Sequence, residues 1–355
     1  MKRIALFLPN WIGDVVMATP AIRAVRERFP EAHLSAVCKP YVSAILDGSP
    51  WFNEVIPYDK RGPWERRSLA VIRRLRRESY DAAVLFTNSF RSAAVARLGG
   101  CKQRIGFARY GRSILLTDSL EPVRDEIGRL KPSPIIHEYN RLVKPLGIED
   151  PGVRMELFTT SADEEAASRY WEANGLDRFP EVIGLNSGGA FGAAKHWPVE
   201  HFAHLAREFV DKRRSAVLVL CGPNERDIAK RIVFQANRPT VFSLANEQVS
   251  LGLTKACSRR LDLLITTDSG PRHFAAAFDR PVITLFGPTF IDWTETYFDK
   301  AIHLQKKVEC GPCQQRVCPL DHRCMKDLSV AEVWNAAADL LRRFTPLTTE
   351  VRHVG

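Results

Sequence analysis

The chain has 355 residues, of which 45% are hydrophobic and 26% are charged, and its formal net charge is +10. This composition excludes a disordered or low-complexity protein, and no apolar run approaches the roughly 20 residues that a transmembrane helix requires. The length predicts two domains, because single hydrophobic cores rarely grow beyond roughly 250–300 residues.

The positive charge is concentrated in the first half of the chain. Residues 1–150 contain 25 Lys and Arg against 16 Asp and Glu, whereas residues 151–355 contain 26 against 25. The densest basic segment, residues 60–77, also fits a helix with one solvated face. The imbalance over the whole half favours an anionic partner instead: nucleic acid, a phosphorylated glycolipid or an anionic membrane face.

The first elements in chain order indicate a cytoplasmic α/β protein. Residues 3–9 are a continuous apolar run, as expected for a strand covered on both faces, and the run is too short for a signal peptide. Thr19 and Pro20 are typical of a helix N-cap followed by proline in the first turn. Further strands and helices alternate, and we predict them at 33–38, 81–86, 92–98 and 137–146.

The pattern starts again after residues 147–180 and predicts a second series of strand–helix units. We predict strands at 182–186, 216–221, 261–266 and 282–286, and helices at 199–210, 225–235, 272–278 and 329–343. The predicted fold is therefore two doubly wound α/β domains that face a cleft.

Four loops after predicted strands carry the chemistry, because ligands of open α/β sheets bind beyond the carboxyl ends of the strands. In the first loop, Asp14 either caps a helix or acts as a general base. Its position in the sequence does not distinguish between these two roles. The second loop, residues 186–198, has three glycines with Ser187 and Lys195, a composition suited to phosphate oxygens. It lacks the P-loop pattern.

The third and fourth loops extend the predicted nucleotide site. Glu225 either accepts hydrogen bonds from ribose hydroxyls or is an acidic residue at a helix start. Asp268, Ser269 and Gly270 open a helix whose positive end suits an anion, and His273 follows about one turn later. The second domain is therefore predicted to hold a nucleoside diphosphate, and the first an anionic acceptor.

These segments together resemble glycosyltransferase family 9, the lipopolysaccharide heptosyltransferases. The resemblance rests on the order and spacing of residues 10–14, 19–20, 195–198, 268–273 and 286–289, and it covers roughly residues 1–345. Asn-Trp-Ile-Gly-Asp at residues 10–14 is more similar to the type II heptosyltransferases than to type I.

The resemblance implies a GT-B fold of two Rossmann-like, doubly wound domains facing an interdomain cleft. The implied domains are 1–165 for the acceptor and 166–328 for the nucleotide-sugar, with a helix at 329–345 that packs back across the interface. The implied reaction is inverting transfer of heptose from ADP-heptose to the inner core of lipopolysaccharide, with no cofactor required for transfer.

The resemblance also assigns roles to individual residues. Asp14 corresponds to the family's proposed base. The residues that correspond to donor-contacting positions are Ser187, Lys195, Glu225, Asp268, Ser269, Gly270 and His273. Arg272 departs from the family pattern, in which a small residue or Met is commoner, and it either adds a phosphate contact or faces solvent. The implied partners are an ADP-sugar and a lipid-linked anionic core oligosaccharide, with peripheral contact at the cytoplasmic face of the inner membrane.

Four clustered cysteines form a separate motif: Cys310, Cys313, Cys318 and Cys324. Four thiolates within 15 residues could hold a structural zinc, although the spacing is irregular. Redox-active or incidental thiols are the alternatives. The other four cysteines are scattered through apolar segments, as buried reduced thiols are.

Two other functions compete with the heptosyltransferase interpretation. One is a GT-B enzyme that uses another nucleotide-sugar, such as a UDP-sugar. The other is a non-enzymatic protein that binds nucleic acid through its basic half. The second alternative leaves the phosphate-suited loops unexplained, and the first half has no recognised nucleic-acid module, so we expect no nucleic-acid partner.

Overall fold

The computed structural model describes residues 1–189 and 191–344. They form two compact units. The first consists of Met1–Phe158 with Asp292–Thr296, and the second of Thr159–Ile291 with the described residues from Tyr297 onward. Each unit contains a parallel sheet flanked by helices, which confirms the predicted pair of doubly wound α/β domains.

The sheet of the first unit is built from short apolar strands in the order β3-β2-β1-β4-β5-β6. These strands are β1 (Arg3–Phe7), β2 (His33–Cys38), β3 (Glu54–Pro57), β4 (Ala82–Leu85), β5 (Gln103–Phe107) and β6 (Asp118–Leu120). The helices are α1 (Ile12–Met17), α2 (Thr19–Arg28), α3 (Pro40–Ser43), α4 (Ser68–Glu78), α5 (Phe90–Leu98) and α6 (Ile135–Arg141). Phe7 pairs with Val37 on one side and Leu85 on the other, so the carboxyl ends of β1, β2 and β4 are aligned.

The second unit repeats this topology, with strand order β12-β11-β10-β7-β8-β9. Its strands are β7 (Val182–Asn186), β8 (Ala216–Leu220), β9 (Val241–Ser243), β10 (Leu263–Thr267), β11 (Val282–Phe286) and β12 (Ala301–Gln305). Its helices are α7 (Ser161–Asn174), α8 (Val199–Arg213), α9 (Arg226–Ala236), α10 (Leu251–Arg260), α11 (Gly270–Ala277), α12 (Arg323–Lys326) and α13 (Val330–Phe344).

The strand order reverses beside β1 in the first unit and beside β7 in the second, where connections leave to opposite sides of the sheet. Such reversals open a crevice at the carboxyl ends of the two adjacent strands. The predicted Asp14 loop follows β1, and the glycine-rich loop follows β7. The topology thus places both predicted sites where open α/β sheets bind ligands.

Several local features explain where helices begin and end. Thr160 and Asp163 form a capping box at the start of α7. Helix α13 buries Val333, Ala337, Leu340 and Leu341 in the core of the second unit. Its Trp334 ring lies 5.1 Å from the ring of Phe209 on α8. Thr345, where the predicted last segment ends, lies outside the described residues.

Two predicted helix features are wrong. Thr19 is not an N-cap: it is already helical, and its hydroxyl donates to the Val16 carbonyl at 2.7 Å. The helix predicted at 137–146 is broken, because α6 ends at Arg141 and a 3-10 turn covers Lys144–Leu146. No helix among the described residues is long and apolar enough to cross a membrane.

Candidate functional site

The centre of the candidate site is a buried ion pair between the loops that follow β7 and β10. A 3-10 turn at Ala193–Lys195 carries Lys195 inward, so that its residue is only 7% exposed. The Lys195 ammonium donates to the Asp268 carboxylate at 2.5 Å and to the Asp268 backbone carbonyl at 2.8 Å. The structure thus brings together two residues that the sequence assigned to the same site from positions 73 apart.

Asp268 has two further partners, which make it the hub of the network. The Thr289 hydroxyl donates to Oδ2 at 2.8 Å, and Arg272 Nη1 donates to Oδ1 at 3.2 Å. Burial alone would raise the pKa of the Asp268 carboxyl, but the charges of Lys195 and Arg272 outweigh burial and lower that pKa to about 2. Asp268 is therefore ionised at every physiological pH.

Arg272 does not face solvent, so that alternative is wrong. Its residue is 3% exposed, and its guanidinium lies 5.0 Å from the centroid of the Phe286 ring. Arg272 Nη2 is also 3.4 Å from His303 Nε2 on β12. The side chain is therefore an internal cation between α11 and the next two strands.

The start of α11 has the backbone features on which the predicted anion site depends. Ser269 is the N-cap residue, Gly270 begins the helix, and Pro271 occupies its first turn. The first N–H groups of a helix have no intrahelical acceptor, and the helix dipole makes this end positive. Asn186 at the end of β7 donates to the Ser269 hydroxyl at 2.9 Å and to the Thr266 hydroxyl at 3.0 Å, so it fixes the turn against the neighbouring strand.

Ser187 begins the glycine-rich loop and has an unusual environment. Its residue is 2% exposed, and its hydroxyl has no hydrogen-bond partner among the described residues. An unpaired buried hydroxyl costs roughly 1–3 kcal/mol, because it has lost its hydrogen bonds to water. A ligand oxygen at this loop would satisfy it.

Gly188 and Glu225 are held against each other. The Glu225 carboxylate accepts a hydrogen bond from the Gly222 backbone N–H at 2.7 Å. A Cβ on Gly188 would lie 2.0 Å from the Glu225 carboxyl group. Glycine is therefore required at residue 188 for the carboxylate to lie beside this loop. Ala190, two residues further along, lies outside the described residues.

His273 lies on the first turns of α11 and is neutral. Its residue is 4% exposed, and burial together with the nearby Arg272 charge holds the pKa of its imidazole well below the ordinary value of 6.5. It can therefore donate or accept a hydrogen bond near the start of α11, but it does not supply a positive charge at pH 7.

Asp14 lies in the first turn of α1 rather than at its N-cap, which is Trp11. Asp14 is partly exposed, and its charge acts on two nearby tyrosines. Burial and the Asp14 charge raise the pKa of Tyr41 and of Tyr139, in each case with burial as the larger cause. The carboxylate is therefore near Tyr41 on α3 and Tyr139 on α6.

The cysteine segment packs on the glycine-rich loop. The Arg316 carbonyl accepts from the Ala194 N–H at 3.0 Å, and His322 Nε2 lies 2.7 Å from the Ala194 carbonyl. Gln314 donates its backbone N–H to the Pro288 carbonyl at 2.7 Å. The segment thus supports two of the loops that form the candidate site.

The cysteines themselves do not form a metal centre in the described parts of the chain, where no group of three or more His, Cys, Asp or Glu is arranged to hold a metal. Cys310 and Cys313 are exposed, whereas Cys324 is buried. Burial and then the other three thiols raise the pKa of the Cys324 thiol to about 11. The four cysteines are not arranged as zinc ligands in the described structure, and the zinc hypothesis stays a prediction.

Two residues of the network were not among the predicted site residues: Asn186 and Thr289. Each lies at or just beyond the carboxyl end of a strand, β7 and β11 respectively. Both lie in segments that the sequence singled out, 186–198 and 286–289, but their side-chain roles were not predicted, because their partners lie 21 to 83 residues away in sequence.

Comparison with known proteins gives a consistent result. A family model described as glycosyltransferase family 9 (heptosyltransferase) matches residues 68–323. Lipooligosaccharide heptosyltransferase 2 of Campylobacter jejuni is 27% identical over 346 residues, covering 96% of this chain and 98% of that protein. Lipopolysaccharide heptosyltransferase 2 of Escherichia coli is 28% identical over 313 residues, covering 84% of this chain and 86% of that protein.

A solved structure is similar over nearly the whole chain. The structure of Escherichia coli ADP-heptose lipopolysaccharide heptosyltransferase II superposes with a TM-score of 0.76 at 25% sequence identity. The match covers 97% of this chain and 99% of that one. The similarity therefore includes both units.

Proposed function

The chain belongs to glycosyltransferase family 9, and from that premise we propose that it transfers heptose from ADP-heptose to the inner core of lipopolysaccharide. The observation that carries the proposal is the buried Lys195–Asp268 pair beside the start of α11. The similarity to type II heptosyltransferases of two organisms supports the donor and the acceptor class.

We propose that the second unit holds the ADP moiety. The start of α11 at Ser269 and Gly270 receives the diphosphate, and Lys195 supplies the positive charge. Ser187 donates its unpaired hydroxyl to the ligand, and Glu225 accepts from the ribose hydroxyls. His273, being neutral, contributes hydrogen bonding.

Asp14 is proposed as the general base. It accepts the proton of the acceptor hydroxyl as that oxygen attacks the anomeric carbon of the donor, which gives inversion of configuration. The bond from the anomeric carbon to the diphosphate oxygen breaks, and negative charge grows on the leaving ADP. Lys195 and the positive end of α11 stabilise this charge more in the transition state than in the ground state.

The direct test is a thermal-shift titration with ADP, UDP, GDP and NAD, followed by a transfer assay with ADP-heptose. A ligand that binds the native state raises the melting temperature with concentration. A shift with ADP alone supports the proposed donor. A shift with UDP alone would keep the glycosyltransferase but remove heptose from the proposal, and no shift with any nucleotide would contradict the donor site.

The proposed acceptor is a lipid-linked anionic core oligosaccharide, and we propose that the protein meets it in peripheral contact with the cytoplasmic face of the inner membrane. The excess positive charge of residues 1–150 supports an anionic partner for the first unit. Metal analysis of the purified protein tests the separate zinc hypothesis, and less than about a tenth of an equivalent would remove it.

A further inference from the structure

A basic side chain of the cysteine segment lies beside the glycine-rich loop of the second unit. The Arg316 guanidinium is 5.7 Å from the centroid of the Phe191 ring, which is within the range of a cation–π contact. The Lys195 ammonium is 4.6 Å from the same centroid. Two cations from distant parts of the sequence therefore lie against one ring.

The backbone of Arg316 is held directly against this loop. The Arg316 carbonyl accepts the Ala194 N–H at 3.0 Å. Gly192 has a φ of +151°, and a Cβ at residue 192 would clash with the Arg316 carbonyl oxygen. Glycine is therefore required at residue 192 for the two backbones to touch. Because Ala194 precedes Lys195, this contact fixes Arg316 beside the turn that carries Lys195 inward.

The two cations differ in exposure and in pairing. Lys195 is buried, and its ammonium donates to the Asp268 carboxylate at 2.5 Å. Arg316 is exposed, and its guanidinium forms no hydrogen bond or ion pair within residues 1–189 and 191–344. A guanidinium that lies over a ring keeps the N–H groups at its edge free to donate. Arg316 is therefore held in place and can still bind a ligand.

The charges of the donor loops favour a further cation at this position. Asp268 pairs with Lys195 and Arg272, so these three buried side chains carry one excess positive charge. The carboxylate of Glu225, beside the same loop, offsets that charge. A nucleoside diphosphate carries negative charge on both phosphates, and without Arg316 these loops would not compensate it.

Two cations near one ring also repel each other, and Asp268 neutralises only Lys195. An anion bound near both cations would replace this repulsion with attraction. The alternative is that Arg316 only packs on Phe191. Packing of that kind needs the stem and the ring contact, but it needs no phosphate nearby.

We propose that Arg316 is a second phosphate-binding cation of the donor site, which pairs with the diphosphate of the nucleotide from the exposed side while Lys195 pairs with it from the buried side. This inference rests on the proposed function, since it takes the loops after β7 and β10 as the donor site. The planar fork of N–H groups on an arginine matches the oxygens of a phosphate. Arg316 then stabilises the negative charge that grows on the leaving nucleotide.

The test is calorimetry with ADP on two variants of residue 316. Arg316→Gln should weaken ADP binding about tenfold at low salt, because it removes a charge-assisted hydrogen bond. Added NaCl should weaken ADP binding less in this variant than in wild type, because one screened charge pair is gone. Arg316→Lys should keep its ADP affinity within about threefold of wild type, together with the wild-type salt dependence, because an ammonium still binds phosphate as a point charge.

Arg169→Gln is the matched control. It removes the same charge from an arginine whose side chain is 71% exposed on α7 of the second unit. This variant should bind ADP as wild type does at low and at high salt. A general effect of net charge would instead weaken ADP binding equally in Arg169→Gln and Arg316→Gln, and it would overturn the inference.

The outcomes separate this inference from the proposed function. An ADP affinity of Arg316→Gln within about twofold of wild type overturns the inference and leaves the proposed donor site standing. Equal losses in the Gln and Lys variants, with wild-type salt dependence, also overturn it, because Arg316 would then act only by packing on Phe191. Failure of the wild-type protein to bind ADP would contradict the proposed donor site itself, and with it this inference.

Discussion

Asp268 is a buried carboxylate with three side-chain donors. Lys195, Arg272 and Thr289 together satisfy both of its oxygens. If Lys195 turns to a bound diphosphate, Arg272 and Thr289 still hold the carboxylate. Arg272 therefore allows Lys195 to change partner without leaving a bare buried charge, a state that costs several kcal/mol.

The first prediction follows from this arrangement. Arg272→Met should lower the free energy of unfolding by about 3 kcal/mol and weaken ADP binding roughly tenfold, although Arg272 is not assigned to the ligand. Denaturant unfolding and calorimetry with ADP measure the two effects. Arg342→Met is the control, because it breaks a surface pair with Asp339 on α13. Equal ADP affinity in the Arg272→Met variant and wild type would contradict the supporting role.

The second prediction concerns Asp14. Asp14→Asn should reduce kcat by at least about a hundredfold, because a general base typically contributes 10² to 10⁴ in rate. The ADP-induced thermal shift should persist, since Asp14 belongs to the first unit. An unchanged kcat would remove Asp14 as the base, whereas loss of the ADP shift would indicate a structural defect.

The sequence could predict the charged residues of the site better than the polar residues that hydrogen-bond to the same loops. Lys195 and Asp268 have distinctive side chains in distinctive loops, and the family resemblance linked them. Asn186 and Thr289 lie in segments that the sequence singled out, but their side chains are not distinctive, because a short polar residue after a strand is common in any sheet. Their role depends on contacts between distant segments, which composition and spacing do not encode.

At the scale of elements, the atoms opposite each glycine determine whether the loop after β7 can accommodate a larger side chain there. Gly188 faces the Glu225 carboxylate, whereas a Cβ on Gly189 would find its nearest atom 3.6 Å away. A Cβ at residue 188 would therefore clash, whereas a Cβ at residue 189 would have room. The clashing atoms are the end of a flexible side chain, so the fold can adapt by moving Glu225.

The third prediction uses this pair. Gly188→Ala should leave the fold intact but displace Glu225 from the Gly222 N–H, and it should weaken binding of ADP about tenfold if Glu225 holds the ribose. Gly189→Ala should bind ADP as wild type does. Calorimetry on both variants makes the comparison, and equal affinities would exclude Glu225 from the donor site.

The fourth prediction concerns pH and helix α11. The pKa of His273 is depressed in the folded state, so its contribution to stability is present above pH 6.5 and is lost as pH falls. Below that value the unfolded chain binds a proton that the folded chain does not, which costs up to about 1.4 kcal/mol per pH unit. Urea unfolding at pH 7.5, 6.5 and 5.5 measures the free energy of unfolding. This free energy should fall less with decreasing pH for His273→Gln than for wild type, and an equal fall in both proteins would contradict the prediction.

Predicted element types were more accurate than predicted element ends. Apolar runs identified β1, β7, β8 and β11, because buried parallel strands contain few polar residues. Five strands were missed. β3, β6 and β9 have only three or four residues, which carry no periodicity, and β5 and β12 contain polar residues that interrupt their apolar runs. Thr19 has the composition of a cap, yet the preceding helix α1 already places it inside a helical turn.

At the scale of the whole molecule, the two units share one topology but differ at the carboxyl edges of their sheets. The first presents the loop that carries Asp14, and the second presents glycine-rich loops around a buried ion pair. We propose that this difference separates acceptor from donor binding, with 1–165 and 166–328 as the corresponding domains. Repeated strand–helix alternation was enough to predict the architecture, because few topologies satisfy right-handed parallel connections.

The fifth prediction tests this separation by hydrogen exchange. ADP at about 100 times its Kd should stabilise the native state by roughly 2.7 kcal/mol. Slower exchange should be concentrated in residues 186–198, 221–225 and 266–273, and the segments that follow the strands of the first unit should exchange at an unchanged rate. Equal protection of both sets would contradict the division.

The cluster around Asp268 also constrains the order in which mutations can accumulate in a lineage. A chain that lacks Arg272 still pairs Asp268 with Lys195, so Arg272 can be gained or lost while the site persists. Once Arg272 is present, replacing Asp268 removes the carboxylate that pairs with two buried cations. The arginine therefore makes the aspartate harder to replace than it would be with Lys195 as its only buried cation.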